Sequence, residues 1–234
     1  MRAGFFALVF LLFTVLDALS YDVIDVKDGG TLKGTVKVTG NVPKDETVKV
    51  TKDANYCGET LPREKYVVSS DGGVKNVVVM IEDIARGKAI PEAAVEIDNK
   101  KCAFHPHVQV AAKGQKVGIV NSDPMLHNTH VYLEKNTVFN VALPLTGFEV
   151  KKSVKASGLM EVRCDVHSFM LGYLYIADNP YVTVTDEKGS YSLPDIPAGS
   201  YKVRFWHEAF GEMEKGVQIE PGGAATLNAE YEAK

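Results

Sequence analysis

Residues Cys164 to Met170 read CDVHSFM, a thiol, an imidazole and a thioether at successive spacings of three, within a chain that otherwise reads as strands. Sulfur and imidazole are soft or borderline donors, and together they suit copper better than a common catalytic mechanism. Just upstream, LMEVRC alternates so that Met160, Val162 and Cys164 share one face. The cysteine should therefore point inward at a strand end, with His167 and Met170 on the following loop. A further histidine, His127 in NSDPMLHNTHVY, follows an Asn-Ser-Asp-Pro turn that ends the strand KVGIV. Two imidazoles, one thiolate and a weak axial thioether are the donor set of a blue-copper electron-transfer centre.

The surroundings fit a β framework. Runs such as GTVKVTG, KNVVVMIED, HVQVAAKGQKVGIVNSD and YVTVTDEKGSYSLPDIPAGSYKVRFW are rich in Val, Thr and Tyr and are bounded by Gly, Pro, Asp and Asn turns. This is the pattern of an antiparallel all-β protein of sandwich or barrel type. Helical periodicity is weak everywhere, and IEDIARGKAIPEAA (residues 81–94) is the one short helix expected. A boundary falls near ADNPY, residues 177–181, where a strand meets an Asp-Asn-Pro turn.

On these residues two resemblances stand. The segment FHPHVQVAAKGQKVGIVNSDPMLHNTH together with the loop CDVHSFM resembles the cupredoxins, and the short Cys-x2-His-x2-Met spacing is similar to that of the amicyanins. The resemblance covers residues 93–178 and implies a Greek-key sandwich holding one type 1 copper through His127, Cys164, His167 and Met170. It also implies that Asn128 ties the two ligand loops together by hydrogen bonding. From Tyr181 onward, VTVTDEKGSYSLPDIPAGSYKV resembles the carboxypeptidase-regulatory, transthyretin-like sandwiches. The piece is small for an independent core, and GGTLKGTVKVTG near the N-terminus looks like the opening strands of the same family. The expected organisation is thus a signal peptide at 1–20 and N-terminal strands at 21–92 that belong to the accessory sandwich. A cupredoxin domain at 93–178 and the regulatory-like sandwich at 179–234 complete it.

The opening MRAGFFALVFLLFTVLDALS has one arginine, an apolar run from Phe5 to Leu16 and small residues before Tyr21, the pattern of a secretory signal peptide. That run is too short for a comfortable membrane span, and no later one replaces it. Arg2 and Asp17 leave together on cleavage, so the exported chain keeps a net charge of −4. Nothing is basic enough for nucleic acid, and no charge run marks a membrane surface. With Cys164 given to copper, the remaining Cys57 and Cys102 are left to pair as a disulfide in an oxidising compartment, a periplasm or the cell surface. The rival for Cys102 is a metal site with His105 and His107 in CAFHPH, which strand parity disfavours. Trp206, His207 and Glu208 either mark a ligand surface or cover the small sandwich.

Pro124, Met125, Leu126, Phe169 and Leu171 flank the two histidines and should form an apolar patch around a solvent-facing imidazole edge. The function expected is a non-enzymatic carrier of single electrons, with a cytochrome, dehydrogenase or oxidase as partner. Copper delivery or storage by the same ligands is the first alternative. A copper enzyme of multicopper or nitrite-reducing type would need more histidine pairs than the six histidines form. Zinc accepts two His and one Cys, but a methionine is a poor recruit for it.

Overall fold

Apolar and polar residues alternate at period two through most of residues 21–233, which this computed structural model describes, and the result is a chain of strands. The expected signal peptide lies outside the described residues. One helical turn, Ala54–Cys57, is the only α-helix among them.

Two β-sandwiches form. In the larger, one sheet runs in the order Glu149–Ser153, Lys116–Asn121, Val95–Lys100, Ala103–His105. The facing sheet runs Asn136–Leu143, His127–Leu133, Gly158–Arg163, Leu171–Ala177, Val108–Ala112. Two of the pairings are parallel, Lys116–Asn121 with Val95–Lys100 and Leu171–Ala177 with Val108–Ala112. Such pairs need the chain to cross between sheets rather than turn back as a hairpin. The inward residues are Ile97, Val117 and Ile119 from one sheet and Val131, Met160, Val162, Leu174 and Ile176 from the other, all fully buried.

The smaller sandwich draws on both ends of the chain. Val78–Ile81 lies between Val182–Val184 and Gly199–His207, with Gly211–Ile219 beyond. In the opposing sheet Gly30–Gly40 pairs with Ser190–Ile196 on one side, and with Ala224–Thr226 and Ala229–Ala233 on the other. Neither end could bury this core alone, because too few residues would face inward. Leu32, Val36 and Val79 from the N-terminal side meet Leu193, Val203 and Phe205 from the C-terminal side.

Two expectations are corrected. Residues 81–94 form no helix: Arg86–Gly87 pairs in parallel with Asp22–Val23. Gly87 and Pro91 are poor helix formers, and Gly87 sits where any Cβ would come within 2.3 Å of the Tyr181 hydroxyl. Nor do residues 21–92 serve the accessory sandwich throughout. The hairpin Thr47–Lys49 with Thr60–Pro62, and the helical turn between them, lie over the larger sandwich. Val50 and Cys57 are buried in the larger core, with Val48 and Leu61 against it.

Candidate metal centre

The strand His127–Leu133 starts where the Asn121 side chain closes the preceding loop, donating to the carbonyls of Met125 (2.8 Å) and Leu143 (2.9 Å). Its neighbour Gly158–Arg163 ends one residue before Cys164. The adjacent strand ends therefore bring His127 and Cys164 together, and the turn after Cys164 adds His167. His127 Nδ1 lies 3.9 Å and His167 Nδ1 3.8 Å from Cys164 Sγ. The three donor atoms all lie within 4.8 Å of one another. Both imidazoles are inaccessible to solvent, and Cys164 and Met170 are 2% exposed. Met170 closes the turn through its N–H, which donates to the His167 carbonyl at 2.9 Å.

Asn128 bridges the two loops. Its Oδ1 accepts from the backbone N–H of Asp165 at 2.7 Å and of Val166 at 3.3 Å, and faces Cys164 Sγ at 3.4 Å. Its Nδ2 donates to Asn140 Oδ1 and Asp165 Oδ2, both at 2.8 Å. His130 stands outside the cluster, 3.1 Å from both Asp165 carboxylate oxygens.

With each Nδ1 facing the sulfur, each Nε2 faces a carboxylate, and neither carboxylate was picked out from the sequence. His127 Nε2 lies 3.0 Å from Asp123 Oδ2, and His167 Nε2 lies 2.8 Å from Asp53 Oδ2. Asp123 is fully buried. Burial opposes its ionisation, but donation from the Cys102 and Lys101 N–H groups, from Tyr56 and from His127 outweighs this and holds the carboxyl below its usual range. Burial, and then the charge of His167, push His127 down toward the neutral form. Burial likewise raises the Cys164 thiol. A neutral imidazole is ready to bind a metal, and a metal ion in place would reverse the penalty on the thiolate.

Cys57 and Cys102 are joined in a disulfide, and Cys164 is the free cysteine. Cys102, Asp123 and His127 also lie close enough to suggest a site, but the Cys102 sulfur is committed to the disulfide. In CAFHPH, His105 is exposed at the end of one sheet, whereas His107 is buried 2.5 Å from Glu208 beside the other.

The expected apolar patch around a solvent-facing histidine does not form. His167 is covered by the turn at Asp53 to Cys57, and Phe169 packs edge-on against its ring at 5.6 Å. Phe169 is buried and Leu171 half-buried, so of the five residues only Pro124 and Leu126 are exposed, with Met125 between.

A family model, the carboxypeptidase regulatory-like domain, matches residues 176–232. No curated protein matches the chain in sequence. Among solved structures the chain is similar to a copper-containing nitrite reductase from Thermus scotoductus SA-01, at 19% identity and a TM-score of 0.33, over 39% of this chain and 24% of that one. It thus spans about a quarter of that enzyme's length. Amicyanin from Paracoccus versutus is similar at 20% identity and a TM-score of 0.32, covering 37% of this chain and 84% of its own. A purple cupredoxin from Nitrosopumilus maritimus is similar at 19% identity and a TM-score of 0.32, covering 36% of this chain and 99% of its own.

Proposed function

We propose that this is an exported type 1 copper protein that carries single electrons between redox partners, with one copper held by His127, Cys164, His167 and Met170. The observation that carries the reading is the convergence of both Nδ1 atoms on one buried sulfur, at 3.9 and 3.8 Å. Metal bonds of about 2.0 Å to nitrogen and about 2.3 Å to sulfur, meeting at roughly 120–130°, span about 3.7–3.9 Å between the donors. The donors are therefore spaced as a single ion would space them. Met170, buried in the same hydrophobic core as Cys164, favours copper over zinc, since a soft thioether suits Cu(I).

Bound copper would supply a one-electron couple between Cu(I) and Cu(II). The chain's own part is to keep one geometry for both states and to exclude water. Asn128 fixes the Cys164 loop against the His127 strand, and the two carboxylates fix the tautomer and tilt of the rings. A closed, fully hydrogen-bonded centre opposes metal release, which favours a carrier over a delivery protein. The partner, a cytochrome, dehydrogenase or oxidase, would meet the exposed rim at Pro124 and Leu126. Leu145 and Phe148 are also exposed there, on a loop tied to this one by Thr146 Oγ1 donating to the Asp123 carbonyl at 2.8 Å. The test is the optical and paramagnetic spectrum of the Cu(II)-loaded protein. An intense thiolate charge-transfer band, lost in Cys164→Ser, is expected; a colourless protein with an ordinary square-planar signal refutes the proposal.

A further inference from the structure

We infer that Asp53 is a positioning residue for this centre, holding His167 by its Nε2 from a covalently anchored cap and thereby setting the reduction potential and the accessibility of the metal. The inference rests on the copper reading.

The contact joins residues 114 apart in sequence, at 2.8 Å, and His167 is left with no solvent exposure. Asp53 occupies the N-cap of the turn Ala54–Cys57, where aspartate normally accepts a helix N–H. It makes no such bond. Its backbone lies in the left-handed region, at φ 55° and ψ 33°, a conformation that aspartate tolerates better than most residues. The carboxylate is turned away from its own helix and toward the imidazole.

The cap that carries it is pinned at several points. Cys57 is bonded to Cys102, the Tyr56 hydroxyl donates to Asp123 Oδ1 at 2.9 Å, and Val48, Val50 and Leu61 pack on the larger core. Asp123 and Asp53 thus play parallel parts toward His127 and His167, one fully buried and the other half-exposed. Asp123 divides its charge among two backbone N–H groups, a tyrosine and the ring. Asp53, whose side chain is 42% exposed, has no hydrogen-bond partner for its carboxylate other than His167 among the described residues, and its charge also reaches His127. A carboxylate on the far nitrogen raises the basicity of the ligating one. That favours the more highly charged Cu(II) and lowers the potential. The same residue, as part of the cap, stands between the ring and small exogenous ligands.

The experiment compares the copper-loaded wild type with Asp53→Ala, Asp53→Asn and Asp53→Glu. Asp53→Asn keeps shape and an acceptor oxygen while removing charge, so it stays informative if the alanine variant folds poorly. The charge-transfer band should persist in all, while Asp53→Ala and Asp53→Asn shift the Cu(II)/Cu(I) preference at least tenfold toward Cu(I), a rise of about 59 mV for one electron. Asp53→Glu should recover most of the wild-type value, and azide should perturb the spectrum of Asp53→Ala alone. In the copper-free protein the His167 Nε2–H resonance should exchange slowly with water in the wild type and rapidly in Asp53→Ala. Intact bands with equal potentials and equal exchange rates in all four proteins would overturn the inference and leave the copper reading standing. A wild type without the band would remove both.

Discussion

Replacing Asn128 by alanine tests the joint between the two ligand loops. The side chain is 7% exposed and makes three short hydrogen bonds: from the Asp165 N–H at 2.7 Å, and to Asn140 Oδ1 and Asp165 Oδ2 at 2.8 Å each. The contacts at 3.3 and 3.4 Å to Val166 and Cys164 are weaker and add little. At about 1 kcal/mol net per bond, with Asp165 exposed so that water can replace the lost acceptor, the loss is about 3 kcal/mol. For a chain of this size that corresponds to a fall in Tm of about 5–10 °C. The assay is thermal unfolding of the copper-free protein, so that any change in metal affinity stays out of the result. Asn140→Ala is the control. It removes the one bond shared with Asn128 together with the Asn140 Nδ2 contacts to Asp165 Oδ2 at 3.0 Å and His130 Nδ1 at 3.1 Å, all from a more exposed position, and Asp165 keeps its contact with Asn128. A fall below about 1 °C for Asn128→Ala, or one equal to the Asn140→Ala fall, would mean that the joint is an ordinary solvated loop contact and that the reasoning fails.

Removing the disulfide with Cys57→Ser/Cys102→Ser opens a loop of 45 residues, for which the chain-entropy relation gives a loss of about 4 kcal/mol; a denaturant titration showing less than about 1 kcal/mol would mean that the cap is held without it. Burial, followed by the nearby charges of His107 and Lys65, lowers the His207 pKa to about 4, so the unfolded chain takes up this proton first. Stability from this group is complete above about pH 6.5 and is lost as pH falls from there toward 4, by about 3 kcal/mol in all. Chemical unfolding of wild type and His207→Gln across that range should show the wild-type curve falling more steeply; parallel curves would refute the assignment.

The parts of the site that could be read from the sequence are the local ones. Strand alternation in LMEVRC fixes which way Cys164 points, and the spacing to His167 and Met170 needs only one turn, so a short window carries most of the donor set. The discontinuous small sandwich was readable because both halves carry alternation and neither half is long enough to stand alone. The cap was not. Its helix is a single turn with no amphipathic period, and Asp53 meets His167 across 114 residues. With the cap unseen, the hydrophobic residues near His167 read as a docking surface, although Phe169 is buried packing against the ring. The false helix at 81–94 has the opposite cause: spaced alanines and isoleucines imitate a period where Gly87 is in fact fitted against Tyr181.

Trp206, His207 and Glu208 show how the second sandwich bears on the centre. They lie at the end of the strand Gly199–His207, so neighbours point to opposite faces. His207 turns inward and stacks on Phe210 at 4.7 Å. Trp206 turns toward the larger sandwich, clustering with Val78, Met80 and Val108 and meeting Tyr173 edge-on at 5.2 Å. Glu208 reaches His107 at 2.5 Å, both side chains under a tenth exposed, and the His107 ring also meets Tyr173 edge-on at 5.7 Å. Tyr173 belongs to the strand Leu171–Ala177, which begins at the residue after Met170. The strand that leaves the ligand loop is therefore gripped from outside by an aromatic contact and a buried polar pair. Burying that pair adds little net stability by itself. The proposed role as an electron carrier requires the loop from Cys164 to Met170 to be held alike in both oxidation states. The small sandwich contributes to that by fixing the strand on which the loop ends, much as the cap fixes the histidine in its middle.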